Sequence, residues 1–157
     1  GELRVFNKIK KVLTCLGKSI TYLGSLGSGQ IVKACNNMML GINMIGISEA
    51  FKMAKAFGIK EKDFFNICSV SSSSSWAMLN HLPVKGIVKN SAANKSFKPG
   101  YAAKLIDKDL KIAKAMAKKV GVEINLGKKA ASLYSEFCKN GNHNLDYSAI
   151  IKAVKKK

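Results

Sequence analysis

The chain has 157 residues, 47% of them hydrophobic and 23% charged, with two prolines, which suits one globular domain with a real core and excludes a disordered basic tail. Its formal net charge is +18, yet of the 27 basic residues only Arg4 is an arginine. Arginine is the usual reader of bases and clamp for phosphates, and the lysines are dispersed, so the charge reads as a solvated face rather than a nucleic-acid interface. The densest run is Lys152, Lys155, Lys156 and Lys157.

The apolar pattern is helical almost throughout. Val5, Phe6, Ile9, Val12, Leu13 and Leu16 recur at helical spacing and Gly17 stands where a C-cap glycine belongs. A short β-favouring run, Ser19 to Leu23, and a glycine turn, Gly24 to Gly29, follow. The next stretch runs without proline to Phe57, with Gly58 as its stop. It predicts a helix of about 45 Å, apolar on most sides and therefore covered all round, the centre of an all-α domain. Gly41 and Gly46 would admit another helix closely, or a bend.

Glu61 to Val70 predicts a short helix, broken by five serines, Ser71 to Ser75. Trp76 to Leu82 predicts another, stopped by Pro83. Lys85 to Gly100 is the longest irregular stretch. Tyr101 to Val120 and Leu126 to Lys139 are strong amphipathic helices, and a last helix starts with Asp146 as N-cap and carries Ile150, Ile151 and Val154.

None of the four cysteines forms a C-x-x-C pair, and neither His81 nor His143 stands at metal-ligand spacing from them, so no metal site is expected. Cys15, Cys35 and Cys138 lie among apolar residues and read as buried, reduced thiols. The most apolar run, Met38 to Ile47, is too short to span a membrane. The chain begins at Gly1, which suggests a processed or truncated N-terminus.

Two constellations carry chemistry. Gln30, Lys33, Asn36 and Asn37 form one polar stripe at the start of the long helix. It is either a surface lysine with two satisfied amides or a lysine acid/base with amides that orient a substrate. Tyr101, Lys108 and Asp109 form the second; Asp109 falls beside the apolar side of its helix, where a carboxylate wants a cationic partner, with Lys33 one candidate. The glycine turn has the order G-x-x-G-x-G, not the dinucleotide fingerprint G-x-G-x-x-G.

These residues resemble a known family. Gly27-Ser28-Gly29, then Lys33, then Asn36-Asn37, is similar to the G-x-G-x-x-x-K-x-x-N-N helix start of the β-hydroxyacid dehydrogenases, nearest to the branch that oxidises 3-hydroxyisobutyrate. Ser71 to Trp76, Leu82-Pro83 with Gly86, and Tyr101 with Lys108-Asp109-Leu110 and Ala113 resemble later motifs of the same family, in order. The resemblance implies a C-terminal all-α domain, residues 24–157, preceded by residues 1–23 as the helix-strand tail of a missing NAD-binding Rossmann domain. It implies Lys33 as the catalytic lysine, Asn37 and Asn36 as substrate-binding residues, Lys108 and Tyr101 at the cofactor, and Asp109 as support. Phenylalanine is usual at the Tyr101 position.

The implied activity is NAD- or NADP-dependent oxidation of a small 3-hydroxy acid, 3-hydroxyisobutyrate to methylmalonate semialdehyde in valine breakdown, with most of the cofactor held by the absent half. A homo-oligomer is implied, dimer or tetramer, in the cytoplasm of a bacterium or the mitochondrial matrix of a eukaryote, with no membrane partner. Relatives that reduce tartronate, glyoxylate or succinic semialdehyde are the nearest alternative. A non-catalytic oligomerisation module and a basic nucleic-acid-binding module are the alternatives of another class.

Overall fold

A computed structural model describes residues 1–155. Lys156 and Lys157 of the terminal lysine run lie outside the described residues. Six α-helices form the frame: α1 (Leu3–Leu13), α2 (Ser28–Ala56), α3 (Glu61–Cys68), α4 (Trp76–His81), α5 (Ala103–Lys119) and α6 (Asn125–Phe137). A π-turn, Cys138–Asn142, and a 3-10 helix, Tyr147–Ala153, close the chain. The domain is all-α, as the sequence predicts, and no described helix is long and apolar enough to cross a membrane.

At 29 residues α2 is the longest element, about 43 Å at 1.5 Å per residue. Gly27 stands at its N-cap, with a positive φ of 94° that suits glycine. Its inward seam is Ala34, Gly41, Met44, Ser48 and Phe51, spaced by three, four and seven residues as one helical face requires. α5 lies along this seam with Ile106, Leu110 and Ala113 buried against it. Gly41 lets the pair close: a methyl group built there would meet Leu110 at 3.4 Å.

α6 packs against both α5 and α2, burying Ala130, Ala131, Tyr134 and Phe137, with Gly127 close against Met38 of α2. Asp107 ties the two helices, accepting from Ser135 Oγ at 2.5 Å while Lys111, one turn on, pairs with it at 2.6 Å. The terminal 3-10 helix inserts Tyr147, Ala149, Ile150 and Ile151 into the core. The sequence predicts an α-helix there; the tighter form leaves Val154 extended at its end.

Four further expectations are corrected. Ser19 to Leu23 forms no strand, because a strand needs a paired neighbour and none runs beside it among the described residues. α2 is not covered all round: Ile31, Val32, Met39 and Met53 are exposed on its outer side. Cys15 and Cys35 are exposed, since α1 buries no residue and Cys35 falls on the outer face of α2; Cys138 is half-buried. α3 ends at Cys68, two residues early, where Ser69 and Ser71 hydroxyls turn back onto the carbonyls of Asn66 and Ile67.

The long irregular stretch is internally tied. Asn94 accepts from the Gly86 N–H and donates to the carbonyls of Val88 and Lys89, and Ser91 donates to the Leu82 carbonyl. A single short 3-10 turn, Ala92–Lys95, punctuates it before the left-handed pair Ser96 and Phe97 delivers the chain to Gly100.

Candidate active site

Asn37 lies one turn before Gly41 on the inward seam of α2, so it faces α5. Asp109 lies three residues after Ile106 on α5, so it faces α2. The two meet where the apolar seam ends: Asn37 Nδ2 donates to Asp109 Oδ2 at 2.7 Å. Tyr101, two residues before α5, leans onto the same oxygen and donates its phenol proton at 2.5 Å. The Asn37 amide also reaches the Tyr101 hydroxyl at 3.3 Å.

Asp109 is 6% exposed, so its charge must be met locally. Burial alone would raise its pKa, but hydrogen bonds from Tyr101, Asn37 and Lys108 outweigh burial and hold the carboxyl below its usual range. The Tyr101 phenol is pushed far upward, first by burial and then by the carboxylate it bonds. The pair is therefore a phenol that keeps its proton and a carboxylate that stays charged.

The cation on Asp109 is Lys108, at 3.3 Å from Oδ1, not Lys33. Adjacent residues on a helix leave in different directions, but the lysine stem is long enough to fold back onto its neighbour while remaining 57% exposed. Lys33 sits one turn before Asn37, on the exposed flank of α2, and forms no hydrogen bond or ion pair among the described residues. Asn36 is also exposed and donates from Nδ2 to Asn37 Oδ1 at 3.2 Å. The two sequence constellations thus meet through Asn37, with Lys33 beside them.

The C-terminal segment holds Tyr101 in place. Asp146 caps the last helix as expected, accepting from Ser148 N at 3.1 Å and Ser148 Oγ at 2.6 Å. Its second oxygen also accepts from the backbone of Gly100 at 3.1 Å and Tyr101 at 3.2 Å, and Tyr147 N donates to the Tyr101 carbonyl at 2.8 Å. The Tyr147 ring stands 5.6 Å from the Tyr101 ring, His81 stands 5.6 Å from Tyr147, and Trp76 stands 4.8 Å from His81. Asp146 as a clamp on Tyr101, and His81 and Tyr147 as its backing, escape the sequence reading. The only signal for them was the capping position of Asp146.

Residues 27–154 match the family described as "NAD-binding of NADP-dependent 3-hydroxyisobutyrate dehydrogenase". Over 99% of its length the chain is 39% identical to 3-hydroxyisobutyrate dehydrogenase, mitochondrial, of Drosophila melanogaster, covering 48% of that protein. It is 31% identical to the mitochondrial 3-hydroxyisobutyrate dehydrogenase of Rattus norvegicus, covering 99% of this chain and 46% of that one. A solved structure of Mycobacterium tuberculosis 3-hydroxyisobutyrate dehydrogenase with L-serine superposes with a TM-score of 0.95 at 33% identity, over 99% of this chain and 53% of that one. The chain spans about half the length of the curated relatives it matches.

Proposed function

Because the chain belongs to the 3-hydroxyisobutyrate dehydrogenase family, we propose that it is the C-terminal part of an NAD(P)-dependent dehydrogenase oxidising 3-hydroxyisobutyrate to methylmalonate semialdehyde. The observation that carries this reading is the Asn37–Tyr101–Asp109–Lys108 network beside Lys33, at the open start of α2. Residues 1–23 are the tail of a preceding cofactor-binding domain and residues 24–157 the α-domain. The exposed apolar side chains of α2 and the unburied α1 leave surface for that domain and for a second copy in a homo-oligomer. The matrix of mitochondria or the bacterial cytoplasm is the proposed location.

The residues suit an anionic substrate and a dinucleotide. Lys33, Lys108 and the Asn36 amide are exposed donors at one edge, and the carboxylate among them, Asp109, is already held by Lys108. A bound nicotinamide dinucleotide supplies the acceptor for the hydride that leaves the substrate carbon. Lys33 Nζ takes the hydroxyl proton as the carbonyl forms, and returns it in the reverse direction. Lys108, which neutralises Asp109, would help to hold the cofactor, and Asn36 and Asn37 would serve the substrate. Tyr101 closes the site from the α5 end.

The test is an assay of the full-length protein with 3-hydroxyisobutyrate and either NAD or NADP. Turnover that is lost in Lys33→Ala supports the reading. Turnover of tartronate semialdehyde, glyoxylate or succinic semialdehyde with NADH or NADPH in its place would move the substrate, and unchanged turnover in Lys33→Ala would overturn the assignment of the lysine.

A further inference from the structure

A carboxamide has two donor hydrogens at one end and an acceptor oxygen at the other. In Asn37 the donor end is fully engaged: Nδ2 meets Asp109 Oδ2 at 2.7 Å and Tyr101 Oη at 3.3 Å. Turning the amide over would put Oδ1 against the Asp109 carboxylate, two acceptors face to face, so its orientation is fixed by charge. Tyr101 strengthens the lock, because its own proton is spent on Asp109 at 2.5 Å and toward Asn37 it can only accept. What Asn37 offers outward is therefore an oxygen. Asn36 Nδ2, at 3.2 Å, is the single recorded donor to it among the described residues, so one lone pair remains.

An unengaged donor one helical turn away is Lys33. It precedes Asn37 by four residues on the same helix, where side chains stand one above the other about 5–6 Å apart at Cβ. It is exposed and has no partner among the described residues. A carboxylate substrate cannot use this oxygen, because carboxylate and carbonyl are both acceptors. A lysine amine can: one N–H bonded to Asn37 Oδ1 leaves the nitrogen lone pair aimed elsewhere, available for a substrate hydroxyl proton.

We infer that Asn37, locked by Asp109 and Tyr101, is a positioning residue that aims the Lys33 amine through its carbonyl oxygen and does not bind the substrate carboxylate. The hydroxyl of Tyr101, absent where phenylalanine stands, is part of that lock. This rests on the proposed dehydrogenase reading and sharpens the role of one of its residues.

Two experiments test it. The first needs no turnover: in the 157-residue chain, the Asn37 side-chain amide resonance, assigned by comparison with Asn37→Leu, is followed by NMR. It should follow the Asp109 titration at acid pH and shift in Tyr101→Phe. An amide resonance that ignores both would overturn the lock. The second uses the full-length enzyme with 3-hydroxyisobutyrate, and with isobutyrate, the same acid without its hydroxyl, as inhibitor. Asn37→Leu should lower kcat about tenfold or more and move the acid limb of the kcat–pH profile, with the isobutyrate inhibition constant unchanged. Tyr101→Phe, which keeps the ring and covers the case in which Asn37→Leu misfolds, should lower kcat about threefold in the same way. A rise in KM and in the isobutyrate constant with kcat and pH profile intact would make Asn37 a carboxylate ligand and overturn the inference. A wild-type enzyme inert toward 3-hydroxyisobutyrate would refute the dehydrogenase reading instead, and the NMR result would stand apart from it.

Discussion

The phenol of Tyr101 and the carboxylate of Asp109, eight residues apart in sequence, share a 2.5 Å hydrogen bond at the polar end of the α2–α5 seam. This contact stabilises the charged carboxylate and draws the Asn37 amide to the same oxygen.

On the proposed dehydrogenase reading, Lys33→Ala in the full-length protein should lower kcat by about 10²–10⁴, the usual weight of a positioned acid/base. Melting should be unaffected, because Lys33 is exposed and forms no hydrogen bond or ion pair among the described residues. Steady-state kinetics and circular dichroism check both halves of this expectation.

Asp109 gives a pH dependence with a definite sign. Its folded pKa lies below that of an unfolded carboxyl, near 4. The stability it contributes is fully present above that value and is lost as pH falls through it toward the lower folded value. The melting-temperature gap between wild type and Asp109→Asn should therefore be widest at neutral pH and shrink toward pH 3. A gap constant across that range would show that the carboxylate's charge is not what stabilises the fold.

Asp146→Ala should destabilise the chain by about 3 kcal/mol or more, measured by urea unfolding. The loss leaves the N–H groups of Gly100, Tyr101 and Ser148 without their acceptor, next to the buried Tyr147. A change under about 1 kcal/mol would mean that water replaces the carboxylate.

Gly46→Ala should stabilise the isolated chain by about 0.5–1 kcal/mol, since Gly46 is helical and a methyl group there meets no atom within 4 Å. A lower melting temperature would reveal a packed neighbour on that face, such as a second copy. The isolated chain should also bind NAD only weakly, and calorimetry giving micromolar affinity would place the main cofactor site within these residues.

The sequence reading succeeded where one helix is enough. The end of α2 followed from Gly58 and the Lys33–Asn36–Asn37 stripe from helical spacing, while its first two residues, Ser28 and Gly29, lie inside the stretch that reads as a glycine turn. It failed where the answer depends on a second body. Ser19 to Leu23 has strand-forming residues but no neighbour to pair with, and α2 has apolar flanks with nothing over them. Lys33 was a plausible partner for Asp109 on charge alone, yet the flexible stem of Lys108 reached it first. Asp146 reads as a cap from its place just before the last apolar helix, whereas its other partners, Gly100 and Tyr101, are 46 and 45 residues distant. Tyr101 was weighed by its ring, and the hydroxyl that joins Asn37 to Asp109 was overlooked.

Trp76 is the single tryptophan, more than half exposed, and stands at the outer end of the ring sequence His81, Tyr147, Tyr101. That makes the chain self-reporting. Indole emission depends on the rings packed against it, so intrinsic fluorescence reads the contact of Trp76 with His81 without a label. Any event that displaces Tyr147 or Tyr101 has a route to the same optical signal.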